Sequence, residues 1–486
     1  PDWRLNPGQV CGDVELTEHL RSGPGDDFDV GFEPALAWEN ENGLQGMVEL
    51  CHGCGGCRGP QETTGGTMCP TYRAAEEEVT STRGRANLLR EAMQGDLPED
   101  AHLSDEFREE VLDLCVGCKG CKRDCPSGVD MAKLKAEVTH AHHEREGASL
   151  REKAFANVDA LARVGSALAP VSNWLAKAPG ARTLLERTVG IGTERPLPSF
   201  ERTTFRDWFE ARGGSEVRAA AATRSVVLFP DTYTNYTNPD AGKAAVRVLE
   251  AADVHVVVPG DVTDTGRPAH SMGFLDQARE TASEVVAALA PYVRSGREVV
   301  VEPSDAVMLQ SDYHDLLGAD AGATADGVAG TDRGASDVDV DAMEAVSGAT
   351  YGVCEYLDAF SLDDRVAWRD PGEHVAYHGH CHQQATKRDH HAVGVLRRAG
   401  YRVDALDSTC CGMAGSFGYE REHEAMSSAI ANILYDQVDA SDADSVIAPG
   451  ASCRTQLAAR DDADAYPPTP VEALAAALPD VSHSRE

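Results

Sequence analysis

The chain has 486 residues, 42% of them hydrophobic and only 6% aromatic, and Asp plus Glu outnumber Lys plus Arg by 36. That length exceeds one compact core at roughly 100–200 residues per domain, so at least two domains are required, and the apolar fraction excludes general disorder. A net charge of −36 repels phosphate backbones and anionic lipid, which argues against nucleic-acid and membrane-surface binding driven by charge.

The acidic excess is spread along the whole chain, and only 8 of the 44 basic residues are Lys. Such a halophilic composition resembles that of proteins from salt-accumulating organisms, because dense carboxylates self-repel until salt screens them, within about 3 Å at 1 M. No apolar run approaches the ~18 residues of a membrane span, and no basic n-region with an apolar h-region opens the chain. A cytoplasmic protein without a transmembrane segment, free or peripheral to a membrane, is expected. The first residue is Pro1, which reads as the start of a fragment, a processed chain or half of a longer polypeptide.

In chain order, the first chemistry is carried by cysteine. Cys51, Cys54 and Cys57 form a C-x2-C-x2-C run with Cys69-Pro70 after it, and Cys115, Cys118, Cys121 and Cys125 form C-x2-C-x2-C-x3-C ahead of Pro126. Three thiolates two residues apart wrap a corner-rich inorganic cluster, whereas one tetrahedral zinc cannot use three such neighbours efficiently. Length, clustering and the missing signal peptide argue against a disulfide framework. A run closed by Cys-Pro is the ferredoxin signature for [4Fe-4S]. In two-cluster ferredoxins the fourth Cys of each run serves the other cluster, which would assign Cys51, Cys54, Cys57 and Cys125 to one cluster and Cys69, Cys115, Cys118 and Cys121 to the second. Gly53, Gly55, Gly56, Gly117 and Gly120 let the backbone wrap closely and aim N–H groups at sulfur. Helices are expected at 83–95 and 105–114, too long an insert for a minimal ferredoxin, so residues 41–145 read as a helical ferredoxin domain and 146–222 as a helical linker.

The remainder reads as parallel α/β structure that repeats. Short β-rich runs at 225–229, 255–259 and 297–303 alternate with helices near 240–251 and 273–290. The same order recurs with strands at 374–379, 401–406 and 445–449 and helices near 389–399 and 420–436. The expected fold class is thus α plus α/β: a helical two-cluster ferredoxin domain followed by a duplicated βαβαβ unit. Its first repeat would span 223–317, a connector 318–372, rich in Asp, Gly and Ala near 318–346, and the second repeat 373–486.

Cys381, Cys410, Cys411 and Cys453 fall just past the three strands of the second repeat, at the carboxyl ends where open α/β sheets build sites. They read either as four small buried residues in tight loops or as a third cluster, metal or redox thiol site. His378, His380 and His382 alternate around Cys381, and either at least one is a ligand or proton carrier or the segment is an exposed turn rich in His. The matching loops of the first repeat carry Thr232, Asp264-Thr265-Gly266 and Asp305, without cysteine, and Gly266 and Gly412 hold equivalent places. Cys11 and Cys354 have no partner pattern and read as structural.

With these residues in view, the chain resembles the iron–sulfur C-terminal half of FAD-linked oxidases of the D-lactate and D-2-hydroxyglutarate dehydrogenase type, related to the glycerol-3-phosphate dehydrogenase iron–sulfur subunit. The stretches that carry the resemblance are ELCHGCGGCR (49–58), MCPTYRA (68–74), STRGRANLL (81–89), CVGCKGCKRDCP (115–126), HGHCHQQA (378–385) and CCGMAG (410–415), and it runs from about residue 4 to 458. RLNPGQV (4–10) is similar to the close of the flavin domain in such oxidases, so residues 1–40 would be the tail of that domain and a linker. Two departures stand out: the first repeat lacks the Cys-Cys-Gly cysteines, and CRTQ at 453–456 places Gln456 where related motifs carry a second Cys.

The resemblance implies an oxidoreductase in which FAD, held in a partner domain or subunit outside this chain, takes a hydride equivalent from a D-2-hydroxy acid. Electrons would pass singly through two [4Fe-4S] clusters toward the Cys-Cys-Gly domain and a quinone or carrier acceptor. The alternatives are a separate iron–sulfur subunit of a glycerol-3-phosphate dehydrogenase or lactate-utilisation complex, and a metal-stabilised scaffold without electron traffic. No flavin fingerprint occurs in this chain, and the catalytic base would belong to the flavin domain.

Overall fold

The computed structural model describes residues 30–59, 68–95, 97–98, 100–260, 262–318, 339–460 and 466–479. Cys11 and the 4–10 segment lie outside the described residues. Around the first cysteine runs the chain is helical, and its longer helices are capped by side chains. The Ser81 hydroxyl accepts from Gly84 N to open Thr82–Met93, which buries Ala86, Leu89 and Met93. The Asp130 carboxylate accepts from Lys133 N to open Met131–Glu146. Both helices pack into one core with Cys51, Cys57, Cys69 and Cys121. The helix expected at 105–114 is one α turn, Asp105–Phe107, continued by a π turn at Arg108–Leu112.

Helices Leu150–Ala156, Val158–Ala167, Val171–Lys177, Ala181–Val189 and Phe205–Ala211 then lead into the first sheet. Strands β1 (Arg224–Leu228), β2 (Val254–Val257), β3 (Glu298–Val301) and β4 (Thr350–Gly352) are all parallel, in the order β2-β1-β3-β4. Strands β5 (His374–Tyr377), β6 (Arg402–Ala405) and β7 (Ser445–Ile447) form a second parallel sheet in the order β6-β5-β7. Runs of Val favour strands, and the two-residue period sends alternate side chains to opposite faces. Val226 and Leu228 enter a core shared with helix Pro239–Ala251 and with Val375, Tyr377 and Ile447 of the second sheet. Val227 and Phe229 face the opposite way, onto helix Leu275–Arg294. One continuous core therefore joins the two sheets.

The 318–372 segment is more than a connector. Helix Val340–Gly348 leads into β4, which pairs with β3 at Val299↔Thr350, and helix Val353–Ala359 sinks Tyr356 and Leu357 into the shared core. A three-residue strand is too short to register as alternation, so the first sheet has one strand more than its sequence pattern shows.

Candidate functional site

All thirteen described cysteines are free thiols. In the helical domain Cys51, Cys57, Cys69 and Cys121 are buried together, Cys115 and Cys125 pack against them, and Cys54 is exposed. Gly53, Gly55 and Gly117 have φ of 76°, 80° and 63°, a backbone that reverses the chain between thiols and strains any other residue. Burial raises Cys57, with charge at Cys69 and Cys51 adding to it. Burial likewise raises Cys121, followed by Asp130, Cys115 and Cys69.

Arg85 tests what these thiols suit. Its side chain is among the largest fully buried groups, and it donates to Thr80 O (2.8 Å), Val111 O (2.9 Å), Thr71 Oγ1 (3.3 Å) and Cys69 Sγ (3.9 Å). A buried guanidinium held by carbonyls, a hydroxyl and sulfur, and not by a carboxylate, is compensated when the neighbouring sulfurs carry negative charge. Thiolates ligating iron meet that requirement; neutral thiols do not.

The second run reaches out of this domain. Cys118 packs with Cys410 and Ile430, and Cys381 lies against them. Burial pushes the Cys118 thiol well up, and charge at Cys381, Cys121 and Cys115 adds to it. Its loop is fastened to both α/β halves. Lys119, at φ 59°, pairs with Asp312, which is fully buried and also pairs with Arg267. From the other half, His382 Nε2 lies 3.0 Å from Gly117 O and carries the ring proton it donates there. Burial holds His382 well below the usual imidazole range, so it is neutral.

The four remaining site cysteines meet at the ends of β5, β6 and β7. Cys410 sits between Cys381 and Cys411, and Cys411 also meets Cys453, so bonding to its neighbours pushes Cys410 and Cys453 up and Cys411 down. A ring nitrogen of His378 and the Sγ atoms of Cys411 and Cys453 lie within 4.8 Å of one another, and all three residues are buried. His378 Nδ1 bonds Ser408 Oγ, and its Nε2 has no protein partner among the described residues. A Cys-Cys-His donor set with one orphaned ring nitrogen fits a soft or borderline metal such as zinc or iron. His380 is also buried, which lowers it to about 4, and it lies against Gly450.

Gln456 is buried and built into the scaffold: its Oε1 accepts from Arg195 Nε (3.1 Å) and its Nε2 donates to Tyr435 Oη (2.9 Å). Gly412 and Gly266 share a physical reason. Both have positive φ, 85° and 80°, and a Cβ would stand 2.4 Å from Ser427 O and 2.9 Å from Ala278 O, the backbones of the helices that follow. Cys354 borders the shared core.

A cavity of about 1440 Å³ unites these parts. Cys381, Cys410, Cys411 and Cys453 line it together with Cys115 and Gly117 of the ferredoxin loop. Asp231, Asp264, Glu302 and Asp305, from the ends of β1, β2 and β3, line it as well. Asp264, Thr265, Gly266, Asp305 and Thr232 are legible at strand ends in the sequence. Sequence reasoning missed Asp231 and Glu302, although each adjoins a strand end, and it gave no role to Lys119, within the second cysteine run, or to Arg267 and Asp312, which carry no motif.

Residues 47–129 match the 4Fe-4S dicluster domain and residues 375–458 match the cysteine-rich domain, so the chain carries both. It is similar to a subunit of the anaerobic glycerol-3-phosphate dehydrogenase of Escherichia coli (strain K12), 26% identical over 363 residues that cover 72% of this chain and 83% of that one. It is similar also to the D-2-hydroxyglutarate dehydrogenase of the same organism, 23% identical over 94% of this chain but only 46% of that one, and to its glycolate oxidase iron-sulfur subunit, 22% identical over 85% and 90%. The chain thus spans less than half of the D-2-hydroxyglutarate dehydrogenase it matches. No solved structure matches the chain.

Proposed function

We propose that the chain is the electron-transfer part of an FAD-linked 2-hydroxy-acid dehydrogenase. The observation that carries this reading is the packing of Cys118, from the second ferredoxin run, against Cys381 and Cys410 of the Cys-Cys-Gly site. A scaffold has no need to bring two sulfur-rich centres into contact.

Cys51, Cys54, Cys57 and Cys125 would hold one [4Fe-4S] cluster and Cys69, Cys115, Cys118 and Cys121 the other; the proximity of Cys115, Cys118 and Cys121 supports the second set, while Cys69 lies near Cys121 and near Cys57 alike. Cys381, Cys410, Cys411 and Cys453, with His378, would hold a third centre. Bound there, such groups supply single-electron transfer between a flavin partner and an acceptor. The chain's own residues position them: Lys119, Asp312 and His382 clamp the Cys118 loop, and the shared core fixes the thiol loops. The matching orders β2-β1-β3 and β6-β5-β7, β4 being an addition to the first sheet, and the matching Gly266 and Gly412 support a duplicated βαβαβ unit.

The flavin is supplied in trans in a second form of this reading. It is favoured by the 83% and 90% coverage of the free-standing iron–sulfur relatives. Peripheral membrane attachment is supported by Leu161, Val164, Leu168, Val171, Trp174 and Leu184, which are exposed on the 158–189 helices. No helix among the described residues is long and apolar enough to cross a membrane.

Anaerobic purification tests the assignment. About eight iron atoms are expected in the two [4Fe-4S] clusters, before any at the third site, with visible absorption that bleaches on reduction. Cys118→Ser should remove one cluster and leave the other. Zinc at both sites without visible absorption refutes the electron-transfer role.

A further inference from the structure

The cysteine-free half contributes acids, not sulfur, to the shared cavity. Asp231 is 2% exposed; its Oδ1 accepts from Tyr233 N (3.0 Å) and Thr234 N (3.1 Å), while Oδ2 has no partner among the described residues. Asp305, also buried, accepts from Thr265 Oγ1 and from Ser304 Oγ (3.2 Å). Asp264 accepts from Gly266 N at 2.8 Å, and Glu302 stands beside Pro303 in the same wall. We propose that Asp231 and Asp305, supported by Asp264 and Glu302, form a proton-donating site for a quinone-class acceptor bound in the cavity next to the thiol centre; the proposal rests on the electron-transfer reading above.

Three observations carry it. First, among the described residues no three of the acids bring ligand atoms within 4.8 Å of one another, as the Cys411, Cys453 and His378 group does. Second, among the described residues they lack a counter-ion of their own. Arg267, which acts on Asp305, is committed to Asp312, and Arg454, which acts on Glu302, bonds Pro467 O and pairs with Glu472. Among the described residues the other titratable groups facing the cluster are Asp159, Tyr233, Tyr313, Cys354, Tyr377 and Glu472, and none is a cation. Third, an uncompensated buried carboxyl group keeps its proton. Burial, with Asp305 adding to it, raises Asp231; burial raises Asp305 likewise, Asp264 to about 7 and Glu302 to about 8.

A carrier protein docking outside would accept single electrons and need no acid inside a cavity. A quinone needs both: it takes two electrons and two protons, two O–H bonds form, and quinol leaves. The electrons originate in the hydroxy acid oxidised by the flavin partner. The protons come from Asp231 and Asp305, which regain them from water through the cavity.

The test uses the full chain with its clusters, reduced anaerobically by dithionite and mixed with a water-soluble naphthoquinone or, in parallel, with ferricyanide, which takes no proton. Asp231→Asn should lower the ratio of naphthoquinone to ferricyanide reoxidation by about a hundredfold, with Asp305→Asn in the same direction and Asp231→Glu restoring much of it. Infrared difference spectra at neutral pH should show the carbonyl stretch of a neutral carboxylic acid perturbed by quinone binding, and Asp231→Asn should remove it; if that variant does not fold, Asp305→Asn and the wild-type band decide. Wild-type reoxidation by naphthoquinone that neither substitution changes overturns this inference alone. Failure of the wild-type clusters to reduce naphthoquinone while ferricyanide still reoxidises them also overturns this inference alone, and failure with both acceptors overturns it together with the proposed electron route. Magnesium bound by the wild type and lost in Asp231→Asn also overturns it, by making the acids a cation site.

Discussion

Asp312 offers the sharpest perturbation of the junction between the ferredoxin loop and the α/β halves. Its side chain is fully buried between Lys119, 6% exposed, and Arg267, 10% exposed. Burial alone would raise its carboxyl group, but Arg267 and Lys119 outweigh that and hold it well below the usual carboxylate range. Removing one partner of a buried pair costs about 3–5 kcal/mol, and here one carboxylate serves two cations, so Asp312→Ala belongs at the upper end of that range. At 1.36 kcal/mol per decade, protection of the Cys115–Cys121 loop against hydrogen exchange should fall by about 10³- to 10⁴-fold. Because the carboxyl is depressed in the folded protein, its contribution is present at all pH above the unfolded value of about 3.9 and is lost only as pH falls through the folded one. Acidification from about pH 7 to 5 should therefore leave wild-type protection at this loop unchanged with respect to Asp312. Replacing the whole triad, with Lys119→Met, Arg267→Met and Asp312→Leu together, should recover most of the loss, since the cost lies in the orphaned charges. Less than about a tenfold change in exchange for Asp312→Ala would refute the clamp.

Gly412→Ala should destabilise the second α/β half by more than about 1–2 kcal/mol, since φ is 85° and the new Cβ would meet Ser427 O at 2.4 Å; retention of third-site metal and wild-type stability would count against that packing. Glu302 is raised to about 8, so its neutral form favours folding at low pH, and stability is lost as pH climbs from the unfolded value of about 4.3 through about 8. Glu302→Gln should flatten that part of the curve in urea titrations at fixed salt, and an unchanged slope would exclude this carboxyl as its cause. With a net charge of −36, the urea midpoint of the wild type should rise between low and molar KCl; a flat response would remove the high-salt reading of the composition.

Features that are local or periodic can be read from the chain alone. The cysteine runs at 51–69 and 115–125 are legible because a cluster-wrapping loop needs fixed short spacings. β1, β2, β3, β5, β6 and β7 are legible because Val-rich runs alternate with amphipathic helices. The thiols at 381, 410, 411 and 453 could be placed at one sheet edge because parallel strands open their loops on the same side. The short strand β4 left no such trace. Docking of distant elements, by contrast, brings Cys118 against Cys381 and Cys410, pairs Lys119 with Asp312 193 residues away, and carries His382 to Gly117 across 265. It also gathers the acids at the ends of β1, β2 and β3 into one cavity with the thiols. Such junctions are pairings between separate elements. They depend on how whole surfaces dock, and a buried Lys, Asp or His at a docking point has the same local pattern as one in solvent until the opposing surface is present.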